Sequence, residues 1–211
     1  SLNIKSETVI LDRKNNVLTA SGGIIIDDLE NSLNIKSETV ILDRKNNVLS
    51  SNTETIVNDK FNNIVKTKKY VYQLNENTLK IFEASILDSD NNSFEIDLAY
   101  IDTKIFKVIG KDVSINLNNK YLNPDNEPRL KGTSVKHTKN ITEISKGIFT
   151  ACKKTNKCPP WQLSAEKITH NKKKKNISYK NVWLKVYDVP VVYFPKFFHP
   201  DPTVKRQSGF L

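Results

Sequence analysis

Residues 1–18 read SLNIKSETVILDRKNNVL, and residues 32–49 repeat the same eighteen letters. Within each copy LNIKS alternates apolar and polar residues, a pattern typical of a strand with one buried face. In the second copy the apolar residue Ile35 has an odd number, whereas the apolar residues Val40 and Leu42 have even numbers. The alternation therefore changes parity between them. This change of parity indicates a bend or a bulge in the strand, because one extra residue turns every later side chain to the opposite face.

The strand pattern continues beyond the repeat. Residues 63–92 and 94–117 alternate again, and turn-forming NN, DN or ND pairs separate the segments. The period predicts about four rungs of roughly 25–31 residues, built from strand and turn alone. One rung cannot bury its apolar face without a neighbour, so the rungs must stack, and a stacked fold accepts a duplicated rung easily. We therefore predict an all-β fold, a β-jellyroll or taco-like sheet of stacked strands.

Stacked rungs would form a sheet folded along its length, with isoleucine and valine side chains inside. Two interpretations stay open at this point: a closed β-sandwich core, or an apolar groove that holds a lipid-like ligand. The pattern alone does not separate them. The candidate groove residues are Ile35, Val40, Leu42, Val48, Ile96, Leu98, Ile105, Val108, Val113 and Ile115.

The composition restricts the classes of partner. The net charge of +10 favours an anionic partner. The cations, however, are 29 lysines and only 4 arginines, whereas proteins that read nucleic acids rely on bidentate arginine. We predict no nucleic-acid partner. Nor does the chain carry an ordered set of nucleophile, base and orienting residue, so we expect no catalytic residues, no enzyme activity and no cofactor.

The N-terminal sequence shows no recognisable targeting segment. There is no signal peptide, no methionine and no apolar run near the roughly 18 residues that a membrane helix needs. We expect the chain to be an internal fragment of a longer protein, so its N-terminus does not reveal its location.

Two cysteines, Cys152 and Cys158, are separated by five residues in a loop rich in lysine, asparagine and proline. They form either a local disulfide of an oxidising compartment or half of a metal site. The three histidines have no partner spacing typical of a metal site, so we predict no metal and favour the disulfide.

The C-terminal part begins with a strand pair. WQLSAEKITH and NISYKNVWLKVYD flank NKKKKN, which we interpret as a hairpin turn. Its lysines, Lys172 to Lys175, are either solvated or in contact with acidic head groups. The next segment, VPVVYFPKFFHPDP, carries four prolines among aromatic residues. Because proline does not fit a central strand, we expect this segment to leave the regular sheet, with its aromatics exposed, docked on their own domain or at a membrane interface.

The same part resembles the LptD family of lipopolysaccharide-assembly proteins, also called the organic solvent tolerance or OstA-like family. The resemblance covers about 60 residues and rests on a cysteine-bearing loop, a W-x-hydrophobic-x-A motif, a V-P-V/I-x-Y-x-P segment and an arginine shortly before S-G-F-L. The matching residues here are Cys158, Trp161, Ala165, Pro190, Tyr193, Pro195, Arg206, Ser208, Gly209 and Phe210.

The resemblance implies a periplasmic jellyroll open along one side, which receives lipopolysaccharide from an LptA-like bridge protein by edge-strand addition. The lipid A acyl chains would pass through its apolar interior to an outer-membrane barrel plugged by an LptE-like lipoprotein. The location implied is the cell outer membrane, with this region facing the periplasm. Family members often pair cysteines over long distances, and the close pair here departs from that pattern. A structural or adhesive β-solenoid is the alternative function, although it does not predict the motifs.

These inferences divide the chain into three parts. Residues 1–128 are predicted as jellyroll rungs with the internal repeat, and residues 129–189 as the remaining strands with the cysteine loop. Residues 190–211 are predicted as a linker, rich in proline and aromatics, that leads into the first barrel strand.

Overall fold

A computed structural model describes residues 2–118, 126–153 and 160–204 of the chain. These residues form strands and turns without a helix, and accordingly no membrane-spanning helix occurs among them. The strands are β1 (Leu2–Lys5), β2 (Thr8–Asp12), β3 (Val17–Asp28), β4 (Leu33–Asp43), β5 (Val48–Ser51), β6 (Thr55–Asn58), β7 (Ile64–Gln73), β8 (Thr78–Leu87), β9 (Ser93–Asp102), β10 (Lys107–Asn116), β11 (Arg129–His137), β12 (Ile141–Thr150), β13 (Trp161–Asn171), β14 (Asn176–Val186) and β15 (Val189–Pro200).

The chain divides into two compact units. The first comprises the residues up to Ser89 together with Glu95–Ile109, and the second comprises Asp90–Phe94 together with the residues from Gly110 onward. The boundary predicted at residue 128 therefore falls inside the second unit. The prediction of an all-β jellyroll class is confirmed, because the strands within each unit pair antiparallel.

In the first unit the two identical stretches lie on opposite sides of β3. The first copy forms β1 and β2, which pair with one edge of β3, and the second copy forms β4, which pairs with the other edge. The opposite edge of β4 pairs with β5 and β6. The RKNN segment of each copy is a turn, and it ends on Asn16 and Asn47 with φ near 55°. Asparagine tolerates this left-handed conformation better than most residues do.

Most long strands bend in the middle, as the change of parity in the repeat predicted. In β8 the buried residues are Leu79 and Ile81 before the bend and Ala84 and Ile86 after it. Glu83, at the bend, has a φ of 46°. The same positive φ occurs at the middle of β10, β12 and β14, at Asp112, Lys146 and Asn181. Because neighbouring strands bend together, the buried face continues across the bend.

Large side chains occupy the interior of the first unit. Tyr70 and Tyr72 are fully buried. The Tyr72 hydroxyl donates a 2.8 Å hydrogen bond to the Asp28 carboxylate, and Asn31 donates another of the same length to the Tyr72 oxygen. Burial raises the pKa of both tyrosines. The hydroxyls are therefore neutral at any physiological pH.

The second unit ends in four consecutive antiparallel strand pairs from β11 to β15. β13, β14 and the lysine turn between them match the predicted hairpin. The expectation that the proline-rich segment leaves the sheet is wrong, because Val189–Pro200 pairs with β14 along most of its length. Within the described residues β15 pairs only with β14. An edge strand uses only every second N–H in its ladder, so it tolerates proline.

Candidate functional site

An apolar cavity of about 580 Å³ lies in the second unit beside its last four strands. This volume is in the range of pockets that bind small molecules. Three strands present one continuous row to it, because Phe149 on β12 lies opposite Leu163 on β13, and Leu163 lies opposite Leu184 on β14. The main apolar lining residues are Phe149, Trp161, Leu163, Leu184, Phe194 and Phe197.

Aromatic contacts fix the shape of the cavity. The rings of Phe149 and Trp161 are 6.0 Å apart between centroids, and those of Phe194 and Phe197 are 5.5 Å apart, both in tilted arrangements. Phe149 also lies 4.9 Å from the imidazole of His199. Tilted rings at these distances attract one another beyond the area that they bury. The wall is therefore a packed aromatic surface.

His199 is one of the polar groups of this wall, together with Asn126 and Asp201, and the structure keeps it neutral. Its Nδ1 lies 2.7 Å from the carbonyl oxygen of Pro200, which can only accept, so Nδ1 carries the proton. The Nε2 atom then accepts the hydrogen bond from the Tyr179 hydroxyl, also at 2.7 Å. Burial lowers the pKa of His199 and raises that of Tyr179. The cavity wall thus carries no charge at this position.

Asp201, which lines the cavity, makes a buried side-chain contact with His170. The imidazole Nε2 of His170 contacts the Asp201 carboxylate, and both side chains are almost completely buried. Burial alone would raise the pKa of Asp201, but hydrogen bonds from His170 and Thr203 outweigh it and hold this pKa at about 2. The Asp201 amide donates to the Lys175 carbonyl oxygen at 3.0 Å, which anchors the segment after β15 to the lysine turn.

The predicted groove residues lie elsewhere, and none of them lines this cavity. Six are buried, three are half-buried, and their contact with a lipid stays a prediction. The buried six are Ile35, Val40, Ile96, Val108, Val113 and Ile115, and the half-buried three are Leu42, Val48 and Leu98.

Ile105 is a correction to the predicted groove. It lies in the turn between β9 and β10 with 59% of its surface exposed, so it does not face the interior. The neighbouring Phe106 has a φ of 50° and is buried in its place. A turn of this kind breaks the alternation from which the inward position of Ile105 was inferred.

The motif residues of the resemblance occupy two environments. Trp161 lines the cavity, and Ala165 is buried opposite Val182 on the next strand. Pro190, Tyr193 and Pro195 are exposed on β15. Four further motif residues, Arg206, Ser208, Gly209 and Phe210, lie outside the described residues.

The predicted disulfide stays a prediction, because Cys158 also lies outside the described residues. Cys152 is half-buried just after β12, and its Sγ is 3.8 Å from the carbonyl oxygen of Trp161. In the described part of the chain no group of three histidine, cysteine or acidic side chains is placed to hold a metal ion.

Sequence reasoning missed most of the cavity. The aromatic residues of VPVVYFPKFFHP form a cluster in the sequence, but the sequence does not show which of them face the cavity. Phe194 and Phe197 line the cavity, whereas Tyr193 and Phe198 are exposed. Strict alternation would place Phe194 and Phe197 on opposite faces, so it does not predict this lining. Leu163 and Leu184 carried no distinguishing signal. Only the pairing of β13 with β14 brings them opposite each other.

Comparisons with known proteins agree with the resemblance. The chain is similar to the LPS-assembly protein LptD of Pseudomonas fluorescens, with 28% identity over 138 residues. The match covers 61% of this chain but only 14% of that protein, so the chain spans a small part of the curated relative. The resemblance to LptD inferred from the motifs is confirmed. No family model matches the chain.

A solved structure also matches part of the chain. It is the crystal structure of LptH from Pseudomonas aeruginosa, described as the LptA-homologous periplasmic component of the lipopolysaccharide transport device. The identity is 19% and the TM-score 0.47, and the match covers 53% of this chain and 82% of LptH.

Proposed function

We propose that this chain is the periplasmic region of an outer-membrane lipopolysaccharide-assembly protein, and that acyl chains of lipopolysaccharide pass through the apolar cavity of the second unit. The observation that carries the proposal is the aromatic-walled cavity of about 580 Å³. The similarity to LptD supports lipopolysaccharide as the cargo. The role is that of a conduit and needs no catalysis.

The chemistry of the wall suits a moving acyl chain. Burial of apolar surface contributes about 25 cal/mol per Å² and has no preferred direction, so it holds a chain without locking it in one register. In His199 the Nδ1–H group donates to the carbonyl oxygen of Pro200, and Nε2 accepts from the Tyr179 hydroxyl. Neither atom is left to anchor a polar group of the cargo at this point.

The edge of the first unit is the proposed docking surface for an LptA-like bridge protein. The strands β1 and β2 use the same edge to pair with β3 that β4, thirty-one residues further on, uses to pair with β5 and β6. Ile4 in the first copy lies opposite Ile26, just as the equivalent Ile35 in the second copy lies opposite Val57. The opposite edge of β4 is covered by β3. The equivalent edge of β1 and β2 has no strand beside it in the described part of the chain, so it is suited to accept one from a partner.

The remaining assignments rest on the resemblance alone. The rest of the full-length protein would form an outer-membrane barrel plugged by a separate LptE-like lipoprotein, and this region would face the periplasm.

Photocrosslinking tests the conduit. The photoreactive residue p-benzoylphenylalanine replaces Phe194, which lines the cavity, or Tyr193, its neighbour on the opposite face of β15. Both substitutions exchange one aromatic ring for another. After illumination with lipopolysaccharide we expect a covalent adduct at position 194 and much less at 193. Equal yields, or no adduct at either position, would contradict the conduit and favour a structural β-solenoid.

A further inference from the structure

Three lysines stand in one row on the outer face of the second unit. Lys167 on β13 lies directly opposite Lys180 on β14, and Lys180 lies directly opposite Lys196 on β15. Directly opposed residues have Cβ atoms about 4.5–5.5 Å apart, and like charges in such positions repel. All three side chains are exposed. The row therefore concentrates positive charge on this face, and the charge does not contribute to the stability of the fold.

The nearby acidic groups neutralise only one end of this row. Glu143 pairs with Lys167 at 2.6 Å. Glu166, at the bend of β13, accepts a hydrogen bond from the Asn181 side chain instead. Within the described residues, Lys180 and Lys196 form no ion pair. Two adjacent ammonium groups are thus left to the solvent or to an anionic ligand.

The row borders a groove of about 410 Å³ whose other groups suit a phosphate carried on a larger molecule. Ser178 lies beside the lysines, opposite Thr169 on one side and Phe198 on the other. Its hydroxyl is 3.4 Å from the Thr169 carbonyl oxygen, a long hydrogen bond that an anion can replace. Phe198 is 47% exposed and offers an apolar surface at the rim of the groove.

We propose that this groove binds the phosphate monoester of a glycolipid head group. Lys180 and Lys196 make the charged contacts, Ser178 donates a hydrogen bond, and the Phe198 ring packs against the adjoining sugar or lipid. The phosphate chemistry follows from the lysine row, whereas the glycolipid as its carrier rests on the proposed function. Lysine binds phosphate as a point charge, so the groove selects for charge rather than for one planar geometry.

The test compares two double variants with the same loss of charge. K180Q/K196Q removes the free lysines of the row, and it should not disturb folding because it relieves repulsion. K173Q/K174Q removes two exposed lysines of the hairpin turn. Binding is measured by sedimentation with phosphatidylcholine vesicles that contain one-tenth lipopolysaccharide, and by NMR titration with glucosamine 1-phosphate and inorganic phosphate. We expect K180Q/K196Q to bind the vesicles and the sugar phosphate at least about tenfold more weakly than K173Q/K174Q.

Other outcomes would overturn the proposal. Equal losses in both variants would mean general charge attraction, and binding of the soluble phosphates without the vesicles would mean that the ligand is not a glycolipid. Crosslinking at Phe194 gives an independent measurement on the same protein. If the crosslink is absent but phosphate binding is intact, only the conduit is contradicted. If the crosslink forms but phosphate binding is absent, only the lysine groove is contradicted.

Discussion

Val9 and Val40 occupy the same position in two identical stretches, yet Val9 is 54% exposed and Val40 is completely buried. The difference comes from their neighbours. Val40 lies on β4, which pairs with β3 on one edge and with β5 and β6 on the other. Val9 lies on β2, which pairs only with β3 within the described residues. Local sequence is constant here, so burial is set by position in the sheet.

This pair provides a matched test of stability. Val40→Asp places a carboxylate in the interior without a partner and should destabilise the chain by several kcal/mol or prevent folding. Val9→Asp makes the same chemical change on an exposed strand and should cost about 0.5 kcal/mol or less. Urea unfolding followed by circular dichroism measures both. Similar midpoints for the two variants would contradict the burial difference.

The same exposed edge should decide docking. Because Val9→Asp leaves the fold intact but places a charge on the proposed partner surface, it should weaken binding of an LptA-like bridge protein about tenfold or more. Surface plasmon resonance with the bridge protein immobilised measures the effect. Lys14→Asp, in the turn after β2, is the control for added negative charge and should bind nearly as well as the unmodified chain. If Lys14→Asp lost as much affinity, the edge of β2 would not be the docking surface.

The repeat was the part of the fold that sequence predicted best. The change of parity between Ile35 and Val40 predicted a bent strand, and β4 buries both residues. The cavity was not predictable in the same way, because it depends on which residues of distant strands come into register. Phe149 and Leu184 are thirty-five positions apart and meet only through β13. The prolines of β15 predicted wrongly that this segment leaves the sheet. Proline is excluded from central strands but tolerated in an edge strand, and the sequence does not show which strand lies at an edge.

A close backbone approach at Gly132 predicts a sensitive position in β11. A Cβ atom there would lie 2.1 Å from Ile144 Cγ2 and 2.9 Å from the Ser145 carbonyl oxygen. The side chain could move, but the backbone oxygen belongs to the paired strand. Gly132→Ala should therefore destabilise the chain by about 1–3 kcal/mol. Gly147→Ala meets only side-chain atoms at 2.6 Å or more and should cost less. Chemical denaturation of both variants checks the order.

The neutral state of His199 predicts a dependence of stability on pH. Burial lowers its pKa in the folded chain below the ordinary value of 6.5. As the pH falls below 6.5, the unfolded chain takes up a proton that the folded chain refuses, so this group makes stability rise with pH in that window. His199→Gln keeps a hydrogen-bond acceptor for Tyr179 but cannot titrate. Urea midpoints measured from pH 7 to pH 5 should fall more steeply for the unmodified chain than for this variant. Parallel curves would contradict a lowered pKa of His199 in the folded chain.

Filling the cavity should block the cargo without unfolding the chain. Leu184→Trp places a larger apolar side chain into a space of about 580 Å³, so it has room to fit, and the stability should change by about 1 kcal/mol or less. The same bulk excludes an acyl chain, so the lipopolysaccharide adduct at position 194 should fall several-fold. Ser164→Trp, on the opposite face of β13, adds a similar ring outside the cavity and should leave the adduct unchanged. An undiminished adduct in folded Leu184→Trp would mean that acyl chains do not use this cavity.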